Sequence, residues 1–316
     1  MKKFLLHSLL FLFPLVIVTC LYDFLVGQYL KKSDAILYKR WNMLYNPIEA
    51  DVLVVGNSRA GCHVDPLLID SILHVKSYNL GVSGGPIEIS DVAWKLYRSH
   101  NNKKPRLILC NIDFLWLGAY HMSYSSIKED YLIFLNDPYF SELTEEMDIS
   151  FFDLYVPGMK YRGNSKLVLN FLKDKIDSPK NEYVIFRKGA VLLKQEMMEL
   201  GLLSESRVFE RGVKRIDMFY RFLDECQGEG IQVVLFKSPI QQIAYKDLSN
   251  IEDSFLLIDS VSSVRRLPLL DYTDFMIEDN SCFYDPVHLN YKGAELFSVR
   301  LAHDVDSLLT EMKIRL

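Results

Sequence analysis

Apolar and polar positions follow three patterns along this chain. The first is continuous. After Lys2 and Lys3, an apolar run extends from Phe4 to Leu30, with His7, Ser8, Thr19, Asp23 and Gln28 as its polar interruptions. A helix crosses a bilayer core with ~20 apolar residues, so Phe4 to Leu25 is long enough to span. No small-x-small cleavage site follows the run, and Ile17-Val18-Thr19 before Cys20 is a poor lipoprotein signal. Residues 1–32 are therefore expected to form an uncleaved signal-anchor transmembrane helix; a buried amphipathic helix is the alternative. Lys31 and Lys32 at the far end leave orientation open on charge alone. The arrangement expected here keeps the short end inside and the bulk of the chain outside.

The second pattern is a set of short apolar runs. Asp51-Val-Leu-Val-Val-Gly56 has the form of a strand buried on both faces, and similar runs recur at 77–81, 106–111, 232–237 and 267–272. The third pattern has helical spacing, at 86–100, 215–228 and 292–309. Strands alternating with helices predict crossover connections and a parallel sheet covered on both sides, an α/β protein. Residues 33–50 are expected to form a helical or irregular neck. Between Gly118 and Leu203 the alternation is lost and aromatics accumulate, including Tyr120, Tyr124, Tyr131, Phe140, Phe151, Phe152 and Tyr155. An insertion at about 119–203 is expected, capping one end of the sheet within an α/β domain over 33–316. Its aromatics could stack sugar rings, form a core or pack against the membrane.

Bulk composition narrows the classes. Of 316 residues, 49% are hydrophobic and 24% charged, enough to build a sizeable core. A net charge of -5 gives no basic footprint, so nucleic acid is not an expected partner. The five cysteines form no CxxC pair, which removes support for a zinc or redox motif. One disulfide stays open as an expectation, with no basis for choosing its partners.

Three segments could carry chemistry, and in open parallel sheets such groups gather at the carboxyl ends of strands. In Gly56-Asn57-Ser58-Arg59 a hydroxyl follows a strand end, where a turn can present Ser58 Oγ beside backbone N–H donors. The bland reading is a helix N-cap or turn serine. In Asp285-Pro286-Val287-His288 the carboxylate and imidazole can meet side by side, leaving Nε2 to take a serine proton. That pair could equally be a capped turn with a packed histidine; His63 and Asp65 are a weaker substitute. In Asn79-Leu80-Gly81-Val82-Ser83-Gly84-Gly85, Gly81 or Gly84 could offer an N–H to an oxyanion, or the glycines could simply permit a turn. Arg59 could hold an anionic substrate or pair with a local carboxylate. Arg187-Lys188 and Arg265-Arg266 are expected to be solvated surface. Residues 51–95 lack a GxGxxG, which counts against a nucleotide site.

Together these segments resemble the SGNH (GDSL-like) hydrolase family. Gly56-Asn57-Ser58 stands where many members have Gly-Asp-Ser, and Tyr78-Asn79-Leu80-Gly81 is similar to the second block. Phe283-Tyr284-Asp285-Pro286-Val287-His288-Leu289-Asn290, followed by Lys292-Gly293-Ala294, resembles the last block most specifically. The resemblance covers roughly residues 50–118 and 230–310. It implies a flavodoxin-like three-layer sandwich with a central parallel sheet, Ser58 as nucleophile, His288 as base and Asp285 as its orienter. It also implies an oxyanion hole of the Ser58 N–H and Gly81, to which Asn111 adds a donor only if its loop is rearranged. The third block departs from the family's Gly-x-Asn-Asp: Ile112 occupies the asparagine position and Asn111 lies one place early. A one-residue shift on a strand turns a side chain to the other face, and losing such a donor costs about 2.7–4 kcal/mol in the transition state. Anchored members resemble the alginate O-acetylation and teichoic-acid D-alanylation proteins. That likeness implies an extracytoplasmic esterase or O-acyltransferase, periplasmic or at the cell surface. It would act without metal or cofactor on acyl esters of envelope or secreted polysaccharide, beside a membrane-bound acyltransferase partner. The alternative is an inactive SGNH-fold envelope protein that binds glycan or such a partner.

Overall fold

The structure is a computed structural model describing residues 2–32, 36–83, 86–119, 131, 133–146, 149–162, 184–195, 208–245 and 250–316. The chain divides into two compact units, one of residues 1–43 with 122–180, the other of residues 44–121 with 181–316.

In the first unit, α1 (Lys2–Lys31) is one apolar helix, and its stretch Leu10–Lys31 is long and apolar enough to cross a membrane. Its side chains from Leu10 to Val18 are exposed, whereas Val26 and Leu30 are buried. The expected neck contains α2 (Ile36–Leu44), whose Trp41 packs edge-on against Tyr131 and Phe140.

The second unit is built on a five-stranded sheet. Its strands are β1 (Val52–Val55), β2 (Ser77–Asn79), β3 (Leu107–Asn111), β6 (Gln232–Lys237) and β7 (Leu269–Asp271). They pair in the order β2-β1-β3-β6-β7, and every pairing is parallel. Continuous Val and Leu runs suit this position, because a strand covered on both faces has no polar side to alternate with. Along each strand successive side chains leave opposite faces. Val52, Val54, Leu107, Leu109, Val234 and Phe236 join a core with α3 (Ser58–His63), α4 (Pro66–Leu73) and α12 (Tyr291–Glu311). On the other face α5 (Ile87–His100) packs with α9 (Val213–Gly228), where the Trp94 and Phe222 rings meet edge-on at 5.5 Å. Cys226 of α9 neighbours Cys110 of β3, and burial pushes both thiols up. Helices on both faces of a parallel sheet make the three-layer sandwich that the motif pattern implied. From β1 the sheet grows one way to β2 and the other way through β3, so the gap between β1 and β3 is its topological switch point.

The remaining described elements are α6 (Phe114–Leu117), α7 (Ser141–Glu146), α8 (Phe151–Tyr155), α10 (Gln242–Tyr245), α11 (Ile251–Arg265), three 3-10 turns at Pro138–Phe140, Met159–Tyr161 and Asn280–Cys282, and two hairpins. The first hairpin, β4 (Val184–Arg187) with β5 (Ala190–Leu193), belongs to the second unit. Its Lys188 carbonyl accepts the Asn79 N–H at 2.9 Å, and Ala190 and Leu192 enter the core beside α12. The second, β8 (Phe283–Asp285) with β9 (His288–Leu289), carries the Asp-x-x-His segment. Of the basic pairs expected on solvated surface, Arg187, Lys188 and Arg265 are engaged within the chain, and Arg266 is exposed. Arg187 Nη1 meets the buried Asp65 carboxylate at 2.5 Å and its guanidinium lies over Tyr291, while Arg265 pairs with Asp224 over Tyr220. Aromatic ring faces and nearby carboxylates draw these long side chains back onto the protein. Tyr120, Tyr124 and much of the expected insertion lie outside the described residues.

Candidate active site

Strand β1 ends at Val55, and the next residue turns the chain. Gly56 has φ +148, and a Cβ there would come within 2.9 Å of Ala60 Cβ and the Asn111 carbonyl oxygen. Only glycine combines that dihedral with so close an approach. Asn57 then caps α3: its Oδ1 accepts the Arg59 N–H at 3.0 Å. Ser58 is the first residue of α3, half-exposed, with its hydroxyl at the carboxyl end of β1 beside the switch point.

The turn is braced from β3. Asp113 Oδ2 accepts from Asn57 Nδ2 at 2.5 Å and from Arg59 Nε at 3.0 Å, and it pairs with Arg59 Nη2. All three side chains are buried. Of the two readings of Arg59, the local carboxylate is the observed one. Behind the turn, the Gly56 carbonyl accepts from Ser90 Oγ at 3.1 Å and from the Val82 N–H at 3.1 Å.

The β8–β9 hairpin delivers the partners. His288 Nε2 lies 2.8 Å from Ser58 Oγ, and His288 Nδ1 lies 2.8 Å from Asp285 Oδ2. Asp285 Oδ1 also accepts the backbone N–H groups of Val287 and His288 at 2.9 and 2.8 Å. Burial alone would raise the Asp285 carboxyl, but the His288 hydrogen bond and charge, with those two N–H groups, hold it below the usual carboxylate range. A carboxylate facing Nδ1 fixes the imidazole proton there, so Nε2 accepts from the Ser58 hydroxyl.

Beneath this pair sits His63, the last residue of α3. It is fully buried, and its Nε2 accepts the Leu289 N–H at 3.0 Å. Its ring meets His288 edge-on at 6.2 Å. Burial, with the His288 and Arg59 charges, pushes its imidazole well below the ordinary value, so it is neutral at pH 7. The buried Ser298 of α12 accepts the Asp65 N–H at 2.8 Å, and its hydroxyl donates to the Ala294 carbonyl at 2.6 Å, with the His63 carbonyl at 3.2 Å. Helix α12 is therefore bonded to the α3–α4 link, and two segments more than 200 residues apart in sequence are clamped together.

The two added oxyanion candidates are otherwise engaged. Gly81 N–H donates to Asn79 Oδ1 at 2.8 Å, and a Cβ at Gly81 would fall 2.3 Å from the Gly61 nitrogen. Gly81 thus serves close packing of the β2 turn against α3. Asn111 pairs with Phe236 in the β3–β6 register, and its Nδ2 donates to Ser238 Oγ at 2.8 Å. Gly84, the other glycine of that turn, lies outside the described residues. Sequence reasoning gave no role to Asp113 and only a substitute's role to His63. The signal for Asp113 was its place just after β3 at the switch point. A small cavity between Arg59, Asp113, Lys237, Ser238 and Thr273 adjoins the brace, and Ser58 does not line it.

No family model matches the sequence. No curated protein matches it either. Solved structures are similar to it over most of their length. A G-D-S-L family protein of Desulfitobacterium hafniense, provisionally described as lipolytic, shares 9% identity over 80% of this chain and 97% of its own, with a TM-score of 0.40. A protein of Bacteroides fragilis, provisionally described as an acylhydrolase, shares 12% over 88% of this chain and 98% of its own, at 0.40. The inhibitor-bound aryl esterase of M. smegmatis shares 10% over 84% and 100%, at 0.36. At these values the likenesses add no weight, and the fold assignment rests on the strand order given above.

Proposed function

We propose that this chain is a membrane-anchored SGNH-type serine esterase or O-acyltransferase, working outside the cytoplasm on acyl, foremost acetyl, esters of envelope or secreted polysaccharide. The observation that carries the reading is the unbroken relay Ser58 Oγ–His288 Nε2 and His288 Nδ1–Asp285, each link 2.8 Å. In the reaction Ser58 Oγ attacks the ester carbonyl while its proton passes to His288 Nε2, and Asp285 stabilises the resulting imidazolium. The tetrahedral oxyanion forms beside the Ser58 N–H, with Gly84 the remaining candidate for a second donor. The intermediate collapses as Nε2 returns the proton to the departing sugar oxygen, leaving an acyl-serine. Water or another sugar hydroxyl, deprotonated by His288, then takes the acyl group and restores the hydroxyl.

The glycan substrate and the extracytoplasmic side rest on the resemblance to the SGNH family, whose anchored members look like polysaccharide-modifying enzymes, together with an apolar α1 able to span a bilayer. A second reading has its own support. With the Gly81 N–H and the Asn111 amide both bonded elsewhere, the hole is thin, as suits an inactive SGNH-fold protein that binds glycan or a membrane acyltransferase.

The test is acetate release from O-acetylated polysaccharide by the purified full chain in detergent. Release that Ser58→Ala abolishes supports the enzyme; glycan binding without release by wild type supports the alternative.

A further inference from the structure

Helix α1 is too long for the bilayer it would cross. At ~1.5 Å per residue its 30 residues measure ~45 Å, against a hydrocarbon core of ~30 Å. One end must emerge, and the contacts within its own unit show which. Up to Val18 the described side chains are exposed; beyond it Tyr22, Asp23, Val26 and Leu30 form a partly or fully buried face, while Phe24 and Leu25 stay exposed on the other. Asp23 accepts the Gly158 N–H at 3.0 Å and pairs with Lys160 Nζ at 3.1 Å, and the Tyr22 and Tyr161 rings meet edge-on at 5.9 Å. A charged pair is costly in hydrocarbon, so on this face of α1 it sets the limit of lipid contact. The stretch from Phe4 to Leu21 that remains is ~27 Å long, close to the thickness required.

Beside that boundary α8 turns its aromatics outward. Phe151, Phe152 and Tyr155 are 66%, 57% and 68% exposed, and they cluster with ring centroids 4.9 Å apart for Phe151 and Tyr155. Three large rings exposed together on five residues are costly in water. Rings at headgroup level are the usual furniture of a membrane interface, where a short apolar face sinks ~5–10 Å. Lys31 and Lys32, exposed at the end of α1, suit anionic headgroups on the same side.

We propose that α8 is a second membrane contact, a three-ring foot set into the interfacial layer of the bilayer that α1 crosses. It rests on reading α1 as an anchor. It fixes where the first unit stands: held at two points, it cannot swing freely about α1.

The native cysteines make a clean test, because Cys20 on α1 is exposed and the other four are buried. Full-length protein is labelled on thiol with an environment-sensitive fluorophore and reconstituted into phosphatidylcholine–phosphatidylglycerol vesicles carrying spin-labelled lipid. Three positions are compared: native Cys20; Phe152→Cys in a Cys20→Ser background; and the exposed Val264→Cys of α11 in the same background. The expected result is blue-shifted emission with lipid quenching at 20 and 152, and iodide quenching at 264. Quenching by lipid at 20 but by iodide at 152 overturns the foot and leaves the anchor standing, as a surface reserved for a protein partner would give. Iodide quenching at both 20 and 152 overturns the anchor as well.

Discussion

His63 shows what one buried imidazole does for a site from behind it. It accepts the Leu289 N–H, and so fixes the strand on which His288 stands. Removing that acceptor leaves a buried donor unpaired, at a cost of about 1–3 kcal/mol. His63→Ala is expected to lower thermal stability and, on the proposed function, the rate of ester cleavage, with His63→Gln, which keeps an acceptor, recovering much of each. Titration adds a second consequence. Because the folded chain holds His63 neutral, the unfolded chain binds its proton more readily, so stability rises with pH wherever the two differ. The His63 contribution is complete above ~6.5, the unfolded value, and declines as pH falls below it, by at most ~1.4 kcal/mol per pH unit. The melting temperature in detergent should therefore drop between pH 7 and pH 5, and drop less in His63→Gln. Equal drops in the two proteins contradict this role. Asp285 acts lower on the scale: with its folded value depressed, its contribution is present above ~3.9 and lost as pH falls through the lowered value.

At the scale of elements, the site depends on three connections that hold α3 in place. Asp113 ties β3 to the Asn57–Ser58–Arg59 turn, Gly81 lets the β2 turn close on Ala60 and Gly61, and Ser298 fastens α12 to the link after α3. The first is a buried ion pair, so breaking one partner strands the other's charge. Asp113→Ala is expected to destabilise the protein by about 3–5 kcal/mol, and the double variant Asp113→Ala, Arg59→Met by less. Urea unfolding of the two single variants and the double measures the coupling directly. Gly81→Ala places a methyl against the α3 backbone and is expected to lower Tm with a loss of about 1–3 kcal/mol. These connections were partly legible beforehand. The strand ends near 56, 111 and 237 are plain in the sequence, because apolar runs buried on both faces stop where the chain turns polar, whereas β2 stops at Asn79, two residues before the expected 81. The directions of Asn111 and Asp113 were not legible. Which neighbour a strand-end side chain meets depends on register, and β3 happens to bring Asn111 alongside Phe236 and Ser238.

For the whole molecule, periodicity was enough to predict a parallel sheet with two helical layers, and the Asp-x-x-His block was enough to suggest a partner for Ser58. What pattern alone could not show was how residues 1–43 join 122–180 into a unit of their own. Contacts such as Asp23 with Lys160 are 137 residues apart and leave no local periodicity to read. The β4–β5 hairpin escaped notice for a related reason, since four-residue strands without clean alternation do not stand out inside an aromatic stretch. The chemistry proposed for the molecule nevertheless turns on one hydroxyl. A fluorophosphonate probe applied to the purified full chain, followed by peptide mass spectrometry, asks whether that hydroxyl is activated. The expected adduct is on Ser58, lost in Ser58→Ala and slowed by roughly three orders of magnitude or more in His288→Ala. A wild-type protein that stays unlabelled, or that labels equally well with Ala at position 58, contradicts the account.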